Sequence, residues 1–185
     1  MRPLLVGGNL IIEVAFVNYR PGGVLDYDEL LVSVLSLQRG RPRHTIVGIW
    51  VDSPASRAGG RELWAIPKEL AAFGRTSTGT TIRSWMTTDP DPFGAGKNQP
   101  VAELIAHPGR RLLPGTPQLP LVVAQRLDGR TVVSRNRIVA AVRHLRAVWR
   151  FRPDGPLGYL AGARPLFSAA LTDASVTVGA PVLRS

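Results

Sequence analysis

The chain has 185 residues, is 44% hydrophobic and 19% charged, and carries a formal net charge of +10. That is long enough for one domain with its own core and too apolar for a disordered chain. Cysteine is absent, which excludes disulfides and thiolate metal sites. No apolar run reaches the ~18 residues of a membrane helix, and no signal-peptide pattern opens the chain, so a cytoplasmic protein is expected.

From the N-terminus, "LIIEVAFV", "LLVSVLSL" and "TIVGIWV" are short apolar segments rich in β-branched residues. Turn residues punctuate them, as at "NYRPGG" and "QRGRPR", which is the pattern of strands joined by turns. Pro67 then suits the first position of a helix, and "PKELAAF" follows with good helix formers. In that reading Glu69 lies in the first turn, where the positive end of the helix dipole favours a carboxylate. The stretch from Asp89 to Pro100 is rich in Pro, Gly and Asp and reads as an exposed loop. Beyond it, "VVAQRL" and "RTVVS" flank Asp128-Gly129 and predict a hairpin with a tight turn. "RIVAAVRHLRAVW" fits helix and strand equally well. No internal repeat or linker is visible. The expectation is one domain over residues 1–185, mostly β with few short helices, built as an antiparallel barrel or sandwich.

The charge does not point to nucleic acid. Arginines are scattered from Arg2 to Arg184 and read as a solvated surface. One cluster stands out, at Arg135, Arg137, Arg143, Arg146, Arg150 and Arg152. The histidines His44, His107 and His144 have no metal-ligand spacing, so no metal is expected. Neither a phosphate-binding glycine loop nor a nucleophile-elbow serine is present.

Of the 23 Lys and Arg residues only Lys68 and Lys97 are lysine; the other 21 are arginine. Lys68 sits among Trp64, Ile66, Leu70 and Phe73. At a helix start in apolar surroundings, unpaired backbone N–H groups and burial both disfavour an ammonium. A neutral amine forms a Schiff base with a ketone, which a guanidinium cannot do. The alternative is a surface lysine whose stem covers apolar area.

"GGRELWAIPKELAAF" resembles the signature of the acetoacetate decarboxylases, in which Gly-Arg-Glu-Leu leads into Pro-Lys-Lys-Leu. The lysine after the proline is that family's Schiff-base lysine and falls on Lys68. "YDE", with Tyr27 and Glu29, is similar to the family's Tyr-x-Glu, and Glu13 in "IIEVAF" matches a second family glutamate. "WVDSPAS", "PLVVAQRLDGR" and "ARPLFSAAL" resemble neighbouring strands and turns. The resemblance implies an acetoacetate decarboxylase-like β-barrel and a cofactor-free lyase acting on a small keto acid through Lys68. It also implies assembly into a homo-oligomer. Glu29 would position substrate or move a proton, with Tyr27 beside it. Glu13 would need a partner, for which Arg61 is the candidate, while Glu62 and Trp64 support the signature. Asp28 is the weaker carboxylate, because strand alternation sends it to the other face.

Two departures accompany the likeness. The second family lysine is Glu69 here, and the chain starts inside the family's usual beginning, without the arginine carried there. Aldolase, dehydratase or cyclase chemistry and non-catalytic ligand binding therefore stand beside decarboxylation.

Overall fold

The β-branched segments do form strands, because alternation lets each bury one face. In the computed structural model, which describes residues 2–88 and 100–184, β1 (Arg2–Pro3), β2 (Leu5–Val6) and β3 (Asn9–Leu10) are short. β4 (Ile12–Tyr19), β5 (Tyr27–Gln38) and β6 (Arg41–Val51) are longer and antiparallel, in register at Val17–Glu29 and Leu31–Ile49. Helix α1 (Pro54–Trp64) follows, then β7 (Lys68–Leu70), β8 (Ala72–Thr78), β9 (Thr81–Thr87) and β10 (Ala102–Arg111). β11 (Gln118–Leu127) and β12 (Arg130–Phe151) are joined by the expected Asp128-Gly129 turn, both residues at positive φ. A 3-10 turn at Gly158–Leu160 precedes β13 (Ala169–Thr177) and β14 (Val182–Arg184). The ambiguous "RIVAAVRHLRAVW" is strand, part of the 22-residue β12. The face that Arg143, Arg146 and Arg150 would share if this segment were helix therefore does not form. The predicted loop after Asp89 lies outside the described residues up to residue 99.

The helix is displaced from its predicted place. Pro67 does not start it. Ser53 caps it instead, its Oγ accepting the Ser56 N–H at 3.2 Å, and Pro54 occupies the first position. At the other end Ala65 adopts a left-handed conformation, Ile66 N–H returns to the Gly60 carbonyl at 3.0 Å, and Pro67 blocks continuation. The good helix formers after Pro67 become strand because β7 pairs with β6, Ile49 opposite Lys68. Tertiary pairing overrides a weak local preference.

The expectation of an antiparallel barrel is also corrected. β7 runs parallel to β6, as does β11, with Val123 opposite His44. The sheet is mixed, and its pairing path from β1 through β5, β6, β11, β12, β10 and β9 to β8 stays open. The parallel step has a physical cause: α1 crosses over between the two strands, so β7 runs beside the last three residues of β6 in the same direction as β6.

Two compact units are present, and β12 contributes to both. The first comprises Met1–Leu70, Gln118–Ile138 and Val176–Ser185. Its core includes Ile46, Ile49 and Val123, with Leu31, Ile66 and Leu121 packed against them. The second comprises Ala71–Pro117 and Val139–Ser175. There β8, β9, β10 and the end of β12 are antiparallel neighbours, with Met86, Ala102 and Ala106 buried. Glu103 is also buried there and accepts from Arg83 and Arg150, so this buried charge is matched by cations.

Candidate functional site

The β6–α1–β7 segment of the first unit builds a polar cluster inside an otherwise apolar region. Glu29 lies at the start of β5 opposite Val51, the last residue of β6. α1 begins three residues after Val51, so its first turn returns over that end of the strands. β7 begins opposite Ile49, which brings Lys68 to the same end. Gly60 makes room for the lysine. A Cβ there would stand 2.7 Å from Lys68 Cδ and 2.9 Å from Cε. A glycine weakens a helix interior, and here it leaves a channel for the stem.

Lys68 is 7% exposed and Glu29 5%, so the surface-lysine alternative does not hold. Lys68 Nζ donates to Glu29 Oε2 at 2.9 Å and to Ser56 Oγ at 2.8 Å. Tyr27 OH is a third, longer partner at 3.4 Å, and it also donates to Glu29 Oε2 at 3.4 Å. The amine stands 5.1 Å from the centroid of the Tyr27 ring, in range of its π face. Isolated charges are costly at such burial, and pairing with hydrogen bonds offsets that cost. Tyr19 stacks on Tyr27 with centroids 4.5 Å apart. Burial, reinforced by the charge of Glu29 and by Tyr27, holds the Tyr19 phenol far above its ordinary titration range, so its proton stays on.

Ser56 had no signal in the sequence. It lies twelve residues before Lys68, and only the helix that "SPAS" opens aims it at the amine.

Arg61 and Glu69 belong to the neighbouring outer layer. Arg61 Nε donates to the Lys68 carbonyl at 2.6 Å, and its Nη2 pairs with Glu69 Oε1. The expected helix-capping role of Glu69 fails, because no helix begins at Pro67. Successive strand residues point to opposite faces, so Glu69 is exposed while Lys68 is buried. Arg61 therefore clamps β7 in place from the last turn of α1.

Arg61 does not serve Glu13 as expected. Glu13 accepts from Ser33 Oγ at 2.8 Å and meets His44 Nδ1 at 2.6 Å. The His44 hydrogen bond holds the Glu13 carboxyl below its ordinary range, against partial burial. Ser33 is four residues beyond Glu29 on β5, roughly 13 Å at about 3.3 Å per residue. Glu13 thus stands apart from the amine. Asp28 faces away, as alternation requires; its side chain accepts from Asn18 Nδ2, and its backbone N–H donates to Asp52 Oδ1 at 2.9 Å. Trp64 Nε1 donates to the Gly179 carbonyl at 3.0 Å and anchors the C-terminal segment. Glu62 is exposed on α1, and no side-chain hydrogen bond ties it to another described residue. Ile66 joins the apolar core of this unit, and Leu70 is exposed.

A protein-family model matches the sequence, and solved structures match the fold. The family model described as acetoacetate decarboxylase (ADC) matches residues 2–132. No curated protein sequence matches. Among solved structures, acetoacetate decarboxylase from Legionella pneumophila superimposes with a TM-score of 0.70 at 16% identity, covering 94% of this chain and 73% of that one. A second acetoacetate decarboxylase structure gives 0.61 at 14% identity, covering 88% and 69%. The enduracididine biosynthesis enzyme MppR, with HEPES bound, gives 0.56 at 16% identity, covering 86% and 65%. At such identities the superpositions speak for the fold. The match over residues 2–132, which takes in both Glu29 and Lys68, places the chain in the acetoacetate decarboxylase family.

Proposed function

We propose that the chain is an acetoacetate decarboxylase-like lyase that acts on a small keto acid through a Schiff base on Lys68. The observation that carries this reading is a buried amine with a buried carboxylate 2.9 Å away and a hydroxyl 2.8 Å away. Glu29 takes a proton from Nζ, and the freed lone pair forms a C–N bond with the substrate carbonyl carbon. The carbinolamine oxygen takes a proton from solvent and leaves as water, giving an iminium. The bond to the substrate carboxylate then breaks, its electron pair moving toward the iminium nitrogen, which releases carbon dioxide and leaves an enamine. A proton returns to the enamine carbon from Glu29, and water hydrolyses the imine to free the ketone and Lys68. Ser56 and Tyr27 hold Nζ on line through these steps. The imine itself is the electron sink, so the reading calls for no cofactor. It treats residues 1–185 as one working domain in a homo-oligomer.

A second reading is a condensation or dehydration in which Glu29 removes a proton from the carbon next to the iminium. The outward pairing of Glu69 with Arg61 favours it. Acetoacetate decarboxylases exemplify a lysine activated by a neighbouring cation or by desolvation, and no cation stands at position 69. A structure of MppR complexed with the condensation product of pyruvate and imidazole 4-carboxaldehyde has a TM-score of 0.51 against this chain.

Proton NMR in deuterated water separates the readings. A decarboxylase converts acetoacetate to deuterated acetone with release of carbon dioxide. A condensing or dehydrating lyase exchanges the methyl protons of pyruvate without losing carbon dioxide. Either activity disappears in Lys68→Arg. A chain that does neither with any small keto acid is not a Schiff-base lyase.

A further inference from the structure

Ser56 is a second hydroxyl where the helix start needs only one. Ser53 already caps α1, its Oγ accepting the Ser56 N–H at 3.2 Å. Ser56 sits inside the first turn, where serine is an indifferent helix former. It is also 6% exposed, so its hydroxyl is taken out of water. Burying a hydroxyl costs stability unless it finds a partner, and the partner here is the Lys68 amine at 2.8 Å.

The direction of that bond matters. An ammonium has protons to give and no lone pair. Nζ directs them toward Glu29 Oε2 at 2.9 Å, Ser56 Oγ at 2.8 Å and Tyr27 OH at 3.4 Å. Ser56 therefore accepts from Nζ, and its own proton points elsewhere. None of the described residues accepts that proton. The hydroxyl is set to take a proton from the nitrogen on one side and to give one on another.

Addition of an amine to a carbonyl uses such a group. The nitrogen lone pair forms the C–N bond and the carbonyl π pair moves onto oxygen. A positive nitrogen then stands beside a negative oxygen on the same carbon. Direct proton transfer between them closes a small, strained ring, and a hydroxyl touching both atoms relieves it. The first turn of α1 also favours negative charge on that oxygen, because it is the positive end of the helix dipole. We propose that Ser56 is a catalytic residue that relays a proton from Nζ to the substrate oxygen as the carbinolamine forms. The proposal rests on the reading of Lys68 as a Schiff-base lysine. One Nζ proton moves to Oγ while the Oγ proton moves to the substrate oxygen, so the serine ends as it began. The carbinolamine oxygen then takes its second proton from solvent and leaves as water.

The test compares two reactions of the same amine in the full chain. Imine formation with pyruvate is followed by borohydride quenching at successive times and peptide mass mapping. Methylation of Lys68 by iodomethane needs the nitrogen lone pair but no carbonyl oxygen, so it reports the amine alone. Ser56→Ala should slow imine formation by roughly a hundredfold and leave Lys68 methylation within about twofold of wild type. Ser56→Thr keeps a hydroxyl and should recover about tenfold of that loss. Imine formation at the wild-type rate in Ser56→Ala overturns the proposal and leaves the Lys68 reading standing. Equal slowing of methylation also overturns it, since Ser56 would then act only on the state of the amine. So does a Ser56→Thr chain that methylates normally yet traps no faster than Ser56→Ala. A wild-type chain that forms no Lys68 adduct with either pyruvate or acetoacetate removes the lysine reading itself, and the proposal with it.

Discussion

Glu29 and Glu13 lie on adjacent antiparallel strands of the same unit, and each meets a basic side chain within hydrogen-bond distance. Their surroundings differ. The side chains of Lys68 and Glu29 are 9% and 6% exposed, whereas those of His44 and Glu13 are 23% and 48% exposed. The first pair stands where water cannot replace a lost partner, so its geometry is enforced by the cost of breaking it. The second is open to water and contributes little by comparison. The difference teaches that two glutamates matched by one resemblance can stand in unlike surroundings, one buried against an amine and the other open to water.

Removing one side of the buried pair should have the largest effect. Glu29→Gln leaves the Lys68 amine buried without its carboxylate and should cost about 3 kcal/mol of stability, read by urea unfolding. It should also slow imine formation by roughly a hundredfold or more. A change below 1 kcal/mol would mean that the pair is wetter than its exposure indicates.

Gly60→Ala should come next. Better helix propensity offers about 1 kcal/mol, but the new Cβ meets the lysine stem at 2.7 Å. Overpacking of this kind costs about 1–3 kcal/mol, so a small net loss is expected, together with slower imine formation because Lys68 must shift. Faster or unchanged trapping in a folded variant would show that the stem has room to spare.

The outer layer should respond less. Glu69→Gln breaks an exposed pair with Arg61 and should change stability by no more than about 1 kcal/mol. The pH profile of Lys68 modification by an amine-reactive ketone should stay as in the wild type, since Glu69 points to the opposite face. A displaced profile would place its carboxylate in contact with the amine.

The smallest effect concerns Glu13 and acid. Its carboxyl is held below the ordinary range in the folded chain. A depressed carboxylate contributes stability above its unfolded titration range and loses it as pH falls through the folded one. Wild type should therefore exceed Glu13→Gln by a small constant margin above about pH 5, and the margin should close at lower pH. Thermal unfolding from neutral pH to pH 3 measures this, and a margin independent of pH would remove His44 as the cause.

The residues that were legible in the sequence are those whose signal is local or carried by a motif. The Asp128-Gly129 turn announces itself by its positive-φ residues. Lys68 and Glu29 follow from the motif and its spacing. The helix was misplaced because "PKELAAF" has better helix formers than "PASRAGGRELW", which contains two adjacent glycines. The cap at Ser53 and the pairing of β7 with β6 decide the matter, and the pairing is a long-range contact. Parallel pairing of β11 with β6 is equally invisible locally, which is why a mixed, open sheet stood where an antiparallel barrel was expected. Ser56 and the His44 partner of Glu13 were hidden for the same reason: side chains meet across 12 and 31 residues of chain.

The central claim is that Lys68 is a nucleophilic amine. Borohydride reduction in the presence of acetoacetate or pyruvate, followed by peptide mass mapping, tests it most directly. The account predicts a stable adduct on the peptide containing Lys68, none on the peptide containing Lys97, and none in a folded Lys68→Arg variant. A comparable adduct in that variant, or one confined to Lys97, would contradict it.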